Sequence, residues 1–398
     1  MSQVASRAAL LVVTLLLPAA ARADGEKLEP EKADFQKALK KAMPAKPATD
    51  GVAGGKLGTT GMRRANEVAA AVLERRLQSN ELKLLRQAGE ADVIVVTGSY
   101  DRVQDVLRAV QVKHVVVPPN LVERLPLMST QTLMVNCPGN LTRAGVAKVK
   151  QFVRTGGYLV TTDWALTLLA RAFPGYVARG GRDTGNDVVA VHVHKSDDPW
   201  LKHVQTGGQR PRWWLESSSY PIRILDKQRV KVLISSPEMG RKYGHSPIAV
   251  AFSFDDGKVL HMTSHFYLQQ SKLVSAKERA KGTAFAKAAG LSEKQISELR
   301  AKGLDKLSVG ELNSAYSMQR VTANVLVSRQ AENKALLQKF GKRARRGITL
   351  SGAASGKGRA RGDVGKDYRL RVVEKKGKQV KVRDLFGREG WTDEDSLY

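Results

Sequence analysis

The chain of 398 residues contains a single cysteine, Cys137. One cysteine cannot form an internal disulfide, so a disulfide-stapled fold of the kind common in small exported domains is excluded. Acidic residues are also scarce, with 38 Asp and Glu against 66 Lys and Arg, and the formal net charge is +28. Stability must therefore come from a hydrophobic core, and a chain of this length can build one in two or three domains.

Apolar stretches are too short to cross a bilayer, and the most apolar one lies near the N-terminus, from Ala8 to Leu17. Arg7 precedes this stretch, and the small-x-small pattern Ala21-Arg22-Ala23 follows it, as in a cleaved secretory signal. We therefore predict a signal peptide over residues 1–23, export to the periplasm or cell envelope, and no transmembrane segment after cleavage. A buried N-terminal helix is the alternative.

Much of the positive charge is concentrated near the C-terminus. From Lys339 to Arg383 there are 16 Lys and Arg against three acidic residues, a net charge of +13. Such a region attracts polyanions by counterion release, and in an exported protein these are mainly anionic envelope polymers. We expect basic residues 342–361 to contact such a polymer, or else to form a merely solubilising surface. Nucleic acid is an unlikely partner in that compartment.

The pattern along the chain predicts an α/β domain between other segments. Residues 24–60 are rich in Lys, Ala, Pro and Gly, which predicts a flexible basic linker. Residues 61–275 carry short, nearly continuous apolar runs separated by helical patterns, at 91–98, 112–119, 132–139 and 157–163. These features predict a mostly parallel sheet flanked by helices. The "DDG" hairpin signal at 255–257 adds an antiparallel edge, and residues 276–344 are predicted to be a helical extension.

Two loops follow predicted strands at the edge where parallel α/β sheets place their functional groups. One loop is Asn136-Cys137-Pro138-Gly139-Asn140, and the other is Thr161-Thr162-Asp163-Trp164-Ala165. Each carries a side chain capable of chemistry, Cys137 in the first and Asp163 in the second.

The run "TLMVNCPGN…VKQFVRTGGYLVTTDWALTLLARAFPG" resembles the class I glutamine amidotransferase-like superfamily, over about residues 91 to 270. The resemblance implies a flavodoxin-like α/β fold with an oxyanion loop at Cys137-Pro138-Gly139. It also implies that the nucleophilic cysteine of the family falls on Asp163, its histidine on His265 and its acid on Tyr267. Only the histidine of the Cys-His-Glu triad is present, so glutaminase activity is not expected.

The matched residues have both functional and structural interpretations. Asp163 and His265 are the catalytic candidates, acting as an acid–base pair or orienting a water or a metal, whereas Asp163 could instead cap the helix beginning at Trp164. Cys137 could be reactive or could simply pack under the neighbouring loop. We predict a ligand pocket formed by Cys137, Gly139, Asp163, Trp164 and His265.

The metal candidates are weaker. His192 and His194 lie two apart on a predicted strand and would face the same way, with Asp197 or His203 as a third ligand. A His-x-His pair is often accidental, so the prediction is no bound metal and no cofactor.

Residues 345–398 resemble bacterial SH3-like domains, with Gly387-Arg388-Glu389-Gly390-Trp391 matching the closing motif of that family. The resemblance implies a small all-β barrel that binds cell-wall peptides or envelope proteins, or that serves only as a packing module. The whole sequence thus favours an exported, non-catalytic binding or scaffolding protein of the bacterial cell envelope, a pseudoenzyme with a degenerate amidotransferase-like pocket. The alternative is a hydrolase that uses Asp163 and His265, with or without a metal.

Overall fold

The computed structural model describes residues 29–43, 60–194 and 198–398. The predicted signal peptide and most of the predicted linker lie outside these ranges. Within them, no helix is both long and apolar enough to span a membrane.

Helices and strands alternate through the first two thirds of the chain, and strands dominate its end. The helices are α1 (Pro30–Ala42), α2 (Thr60–Arg76), α3 (Ser79–Gln87), α4 (Val103–Ala109), α5 (Arg143–Arg154), α6 (Leu166–Ala172), α7 (Pro237–Tyr243), α8 (Ala276–Arg279), α9 (Gly282–Ala288), α10 (Glu293–Ala301) and α11 (Val309–Lys339). The strands are β1 (Val93–Val96), β2 (Val115–Val117), β3 (Thr132–Val135), β4 (Tyr158–Thr162), β5 (Val177–Arg179), β6 (Asp187–Ala190), β7 (His192–Val193), β8 (Arg212–Leu215), β9 (Ile222–Ile224), β10 (Lys231–Ser235), β11 (Pro247–Phe254), β12 (Gly257–Met262), β13 (Lys342–Arg343), β14 (Ile348–Ser351), β15 (Ala360–Val364), β16 (Arg369–Lys376), β17 (Gln379–Asp384) and β18 (Glu389–Asp393).

A central eight-stranded sheet has the order β2-β1-β3-β4-β12-β11-β10-β7. The neighbours from β2 to β12 pair in parallel, and β11, β10 and β7 continue the sheet antiparallel. The predicted hairpin joins β11 to β12, and Asp255 in its turn has φ +49°. The expected α/β class, a mostly parallel sheet with an antiparallel edge, is therefore confirmed.

Helices cover both faces of this sheet, as its apolar strands require. In β1, Val93 and Val95 belong to the core on one face, whereas Ile94 and Val96 belong to the core on the other. Successive residues of a strand point to opposite faces, so a strand covered on both sides reads as a continuous apolar run.

The predicted helical extension contributes to the core of the α/β domain. The 31-residue helix α11 begins with a capping box in which the Ser308 side chain accepts from the Glu311 backbone and the Glu311 side chain accepts from the Ser308 backbone. Leu312 and Tyr316 on this helix are fully buried in the same apolar cluster as Val93. The helix is therefore one layer of the α/β domain rather than an appendage.

Part of the predicted flexible linker is in fact helical. Helix α1 starts with Pro30 in its first turn and buries Phe35 completely in the second face of the α/β core. Glu29, just before it, pairs with Arg369 at 2.8 Å. The prediction of a linker over all of residues 24–60 is wrong for this stretch, because tertiary contacts hold a segment whose own sequence is mostly polar.

The C-terminal residues form a separate six-stranded antiparallel sheet, of order β13-β16-β17-β18-β14-β15. It encloses a small core of its own that includes Leu350, Leu370 and Val382. The Ser129 amide donates to the Leu385 carbonyl at 2.7 Å, which joins this unit to the α/β domain. The predicted all-β C-terminal unit is thus present, starting at Lys342.

Candidate functional site

The site lies at the carboxyl ends of three neighbouring parallel strands. Val135 of β3 pairs with Thr161 of β4, and Thr162 of β4 pairs with Met262 of β12. The loops that leave these strands therefore meet at one edge of the sheet, where open α/β sheets bind their ligands. These loops bring Cys137, Asp163 and His265 together.

Asp163 occupies a strained strand-to-helix turn. Its φ is +46°, in the left-handed region that non-glycine residues rarely adopt, and its side chain is only 2% exposed. Oδ1 accepts from the Tyr220 amide at 2.9 Å, and Oδ2 accepts from the Ser219 hydroxyl at 2.8 Å. The alternative that Asp163 caps the following helix is wrong, because its two carboxylate oxygens accept from Ser219 and Tyr220, which lie outside that helix.

His265 lies between two carboxylates and is 1% exposed. Its Nε2 is 3.2 Å from Oδ2 of Asp163, while Nδ1 is 3.4 Å from Oε2 of Glu216, an ion-pair separation without aligned hydrogen-bond geometry. Burial lowers the pKa of His265, but the charge of Asp101 and the hydrogen bond to Asp163 outweigh it and hold the pKa well above the usual value.

Cys137 is buried and unreactive in this arrangement. Its side chain is 1% exposed, and Sγ lies 3.8 Å from Oδ2 of Asp163. Burial, partly offset by a hydrogen bond to His265, raises the pKa of the Cys137 thiol to about 11. Because the thiolate is the nucleophilic form of cysteine, the thiol present at neutral pH is a poor attacking group.

Gly139 allows the two loops to pack closely. It has φ +70°, and a Cβ atom at this position would lie 2.6 Å from Cβ of Ala165. A side chain here would therefore force the cysteine loop away from Asp163.

Two carboxylates of the site were missed by the sequence predictions. The resemblance placed the acid at Tyr267, but Glu216 is the residue that faces His265. Asp101 is 1% exposed and accepts hydrogen bonds from the Thr162 hydroxyl at 2.7 Å and from the Phe266 amide at 3.0 Å. Asp101 follows β1, so its place after a parallel strand was a usable signal, whereas Glu216 comes from outside the central sheet and gave none.

A surface pocket of about 250 Å³ lies next to this cluster. Its walls are aromatic, since the Trp164 ring stacks on Tyr220 with centroids 5.6 Å apart and meets the edge of Tyr100 at 5.2 Å. Of the predicted pocket residues, only Trp164 lines it; the others are buried behind it. The pocket lining comprises Ser99, Tyr100, Pro138, Asn140, Trp164, Thr167 and Tyr220.

Among the described residues, the predicted histidine pair belongs to no group of three or more converging metal-ligating side chains. The His192 and His194 rings are 5.0 Å apart, and Nε2 of His194 contacts the Ser235 hydroxyl at 2.7 Å. Asp197 lies outside the described residues. Among the residues that are described, the group of metal-ligating side chains that converges is Cys137, Asp163 and His265, not the histidine pair.

Comparison with known proteins gives structural similarity alone. No family model matches the chain, and no curated protein matches it. Among solved structures, it is similar to a glutamine amidotransferase from Thermotoga maritima (11% identity, TM-score 0.32, covering 62% of this chain and 98% of that one). It is also similar to a protein from Thermoplasma acidophilum described as a GMP synthase subunit (11% identity, TM-score 0.33, 52% and 93%). A third is a β-galactosidase from Rahnella sp. R3 (11% identity, TM-score 0.33, 53% and 31%). Matches at this level assign no function, so function has to be argued from the site itself.

Proposed function

We propose that this chain is an exported, non-catalytic binding or scaffolding protein of the bacterial cell envelope. The observation that carries the non-catalytic part is the state of Asp163. It stands where the amidotransferase-like resemblance places the attacking cysteine, yet both of its oxygens accept hydrogen bonds and its side chain is 2% exposed. Acyl transfer needs a nucleophile that a substrate can reach, and this position offers none.

The thiol does not replace the missing nucleophile. Cys137 precedes the elbow position by one strand of the sheet and is itself 1% exposed. The two loops that match the oxyanion loop and the nucleophile elbow of amidotransferase-like proteins are thus present, but their side chains Cys137 and Asp163 are buried.

Binding has two candidate surfaces. The aromatic pocket beside the cluster presents Tyr100, which is 44% exposed, together with Trp164 and Tyr220. Such rings offer flat apolar faces with polar edges, which suit a ring-shaped or peptide ligand. The C-terminal unit, which we propose to be SH3-like, presents exposed cations for an anionic polymer: Lys342, Arg345, Arg346, Lys357, Arg359 and Arg361.

Co-sedimentation of the mature chain with purified peptidoglycan tests the binding proposal. At 1 M salt the screening length falls to about 3 Å, so charge attraction alone is lost while specific contacts persist. We expect retention at 1 M NaCl. The double variant Arg359→Glu, Arg361→Glu should weaken binding only at low salt, and the exposed Lys294→Glu serves as a matched control. Complete release at 1 M salt would refute specific binding and leave charge alone.

A hydrolase is the second candidate, and one observation favours it. His265 contacts Asp163 on one side and Glu216 on the other, which is the arrangement of nucleophile, histidine and acid in a hydrolase triad. Asp163, at the nucleophile position, has the strained φ of +46°. A panel of ester, amide and alkyl halide substrates separates the two proposals. Turnover by the wild type that is abolished in Asp163→Asn would overturn the non-catalytic proposal, whereas equal inactivity of both proteins supports it.

Fractionation of the source cells tests export, since a protein of uncleaved length in the cytosol contradicts it.

A further inference from the structure

The cluster beneath the aromatic pocket has the geometry of a metal site. Oδ2 of Asp163 lies 3.2 Å from Nε2 of His265 and 3.8 Å from Sγ of Cys137, and the three atoms are all within 4.8 Å of one another. A tetrahedral zinc ion with Zn–S of about 2.3 Å and Zn–N or Zn–O of about 2.0–2.1 Å keeps its ligand atoms roughly 3.3–3.6 Å apart. Shifts of a few tenths of an ångström would therefore let one ion contact all three atoms.

The local charge favours a cation at this place. Asp101 and Asp163 are buried and Glu216 is half-buried, and the imidazole of His265 lies within ion-pair distance of Asp163 and Glu216. Buried carboxylates are normally paired with cations or bound to metals, because a charge removed from water is costly without a partner. A divalent ion bound by a thiolate, a carboxylate and an imidazole would offset the excess negative charge.

The groups around the three ligands would hold them in place. Metal-binding histidines usually direct their other ring nitrogen to a carboxylate, and Glu216 faces Nδ1 of His265 at 3.4 Å. The Ser219 hydroxyl and the Tyr220 amide fix the Asp163 carboxylate. The ligands come from three neighbouring strand ends, so the backbone supports them rigidly.

We propose that Cys137 Sγ, Asp163 Oδ2 and His265 Nε2 bind one zinc ion in a buried site. The sulfur and nitrogen donors select zinc over magnesium or calcium, which prefer oxygen ligands. The three ligand side chains are 1%, 2% and 1% exposed, so the protein shields the ion from bulk solvent, and the fourth tetrahedral position is left for a water molecule. This proposal differs from the sequence prediction of no bound metal, with His192 and His194 as weak candidates, and it adds Cys137 to the Asp163–His265 pair for which a metal was the alternative. It does not depend on envelope binding.

Metal analysis of the full mature chain, purified without an affinity tag from zinc-supplemented medium, tests the proposal. We expect about one zinc per chain in the wild type and in His192→Ala, the matched control, and at least a tenfold lower content in Cys137→Ser. In Glu216→Gln, where the positioning carboxylate is lost and the ligands stay, we expect zinc affinity to fall about 10- to 100-fold.

Cobalt gives a second readout that does not depend on how the variants fold. Wild-type protein unfolded in chelator and refolded with excess Co²⁺ should show thiolate-to-cobalt charge-transfer absorption in the near ultraviolet, because Cys137 is the only thiol. Absence of this band, or zinc content that is the same in Cys137→Ser and the wild type, would overturn the zinc site. Either result would leave the peptidoglycan test unaffected, so the two proposals fail separately.

Discussion

Acid stability should depend strongly on one buried histidine, His261, in the middle of β12. Its side chain is fully buried, Nδ1 contacts the Thr161 hydroxyl at 2.8 Å, and Nε2 has no hydrogen-bond partner in the described part of the chain. Burial, opposed only in part by the charge of Asp163, lowers the pKa of His261 from 6.5 to about 3. The native state therefore holds this imidazole neutral down to low pH.

The sign of the effect follows from proton linkage. Between the folded pKa of about 3 and the unfolded value of 6.5, the unfolded chain binds a proton on His261 that the native protein does not. Stability is therefore unaffected above the unfolded pKa and falls as the pH drops below it. With these two pKa values, the free energy of unfolding at pH 4 is lower than at pH 7.5 by about 3 kcal/mol from this group alone.

The change to make is His261→Gln, which keeps a polar side chain but removes the titration. Urea unfolding followed by tryptophan fluorescence reports on the α/β domain, since Trp164, Trp200, Trp213 and Trp214 all lie in it. We expect the variant to be less stable than the wild type at pH 7.5 but to lose about 3 kcal/mol less between pH 7.5 and pH 4. The half-exposed His245→Gln is the control and should follow the wild type. Equal acid sensitivity of wild type and His261→Gln would refute the burial argument.

Three further substitutions probe the packing of the fold. Gly139→Ala should lower the free energy of unfolding by about 1–3 kcal/mol, and with it the thermal midpoint, because the new Cβ would clash with Ala165 at a left-handed φ. An unchanged midpoint would contradict the close contact between the two loops. Arg320→Met should lower the free energy of unfolding in urea by about 3–5 kcal/mol, because it leaves Glu81 without its buried guanidinium partner at 3.0 Å. An unchanged free energy would mean that the pair is replaceable. Phe35→Ala should cost about 3–5 kcal/mol and make residues 30–42 sensitive to protease, whereas a wild-type digestion pattern would show that α1 is not docked.

Local patterns predicted the elements of the sheet well. Each of the four apolar runs, at 91–98, 112–119, 132–139 and 157–163, contains one parallel strand of the sheet. These predictions succeeded because a strand buried on both faces needs a continuous apolar run. Helix α5 is also delimited by local residues: the Thr142 hydroxyl accepts from the Gly145 amide at its start, and Gly156 has a positive φ at its end.

Helix α1 shows where such patterns fail. Its two large apolar residues, Phe35 and Leu39, give too weak a periodicity to be recognised, and the helix is held by pairs such as Glu29–Arg369 that join residues far apart in the sequence. A prediction from local composition cannot see contacts of this kind.

The sequence by itself determined that Cys137 and Asp163 follow neighbouring parallel strands, since order and apolar pattern place both loops at one edge of the sheet. Only the tertiary structure decided what surrounds them. Glu216 and Ser219 reach His265 and Asp163 from a connection between β8 and β9, outside the central sheet, and no local pattern encodes that approach. The same folding buries the three ligand atoms and leaves Trp164 at the surface, because the loops stack over one another once the strands are aligned.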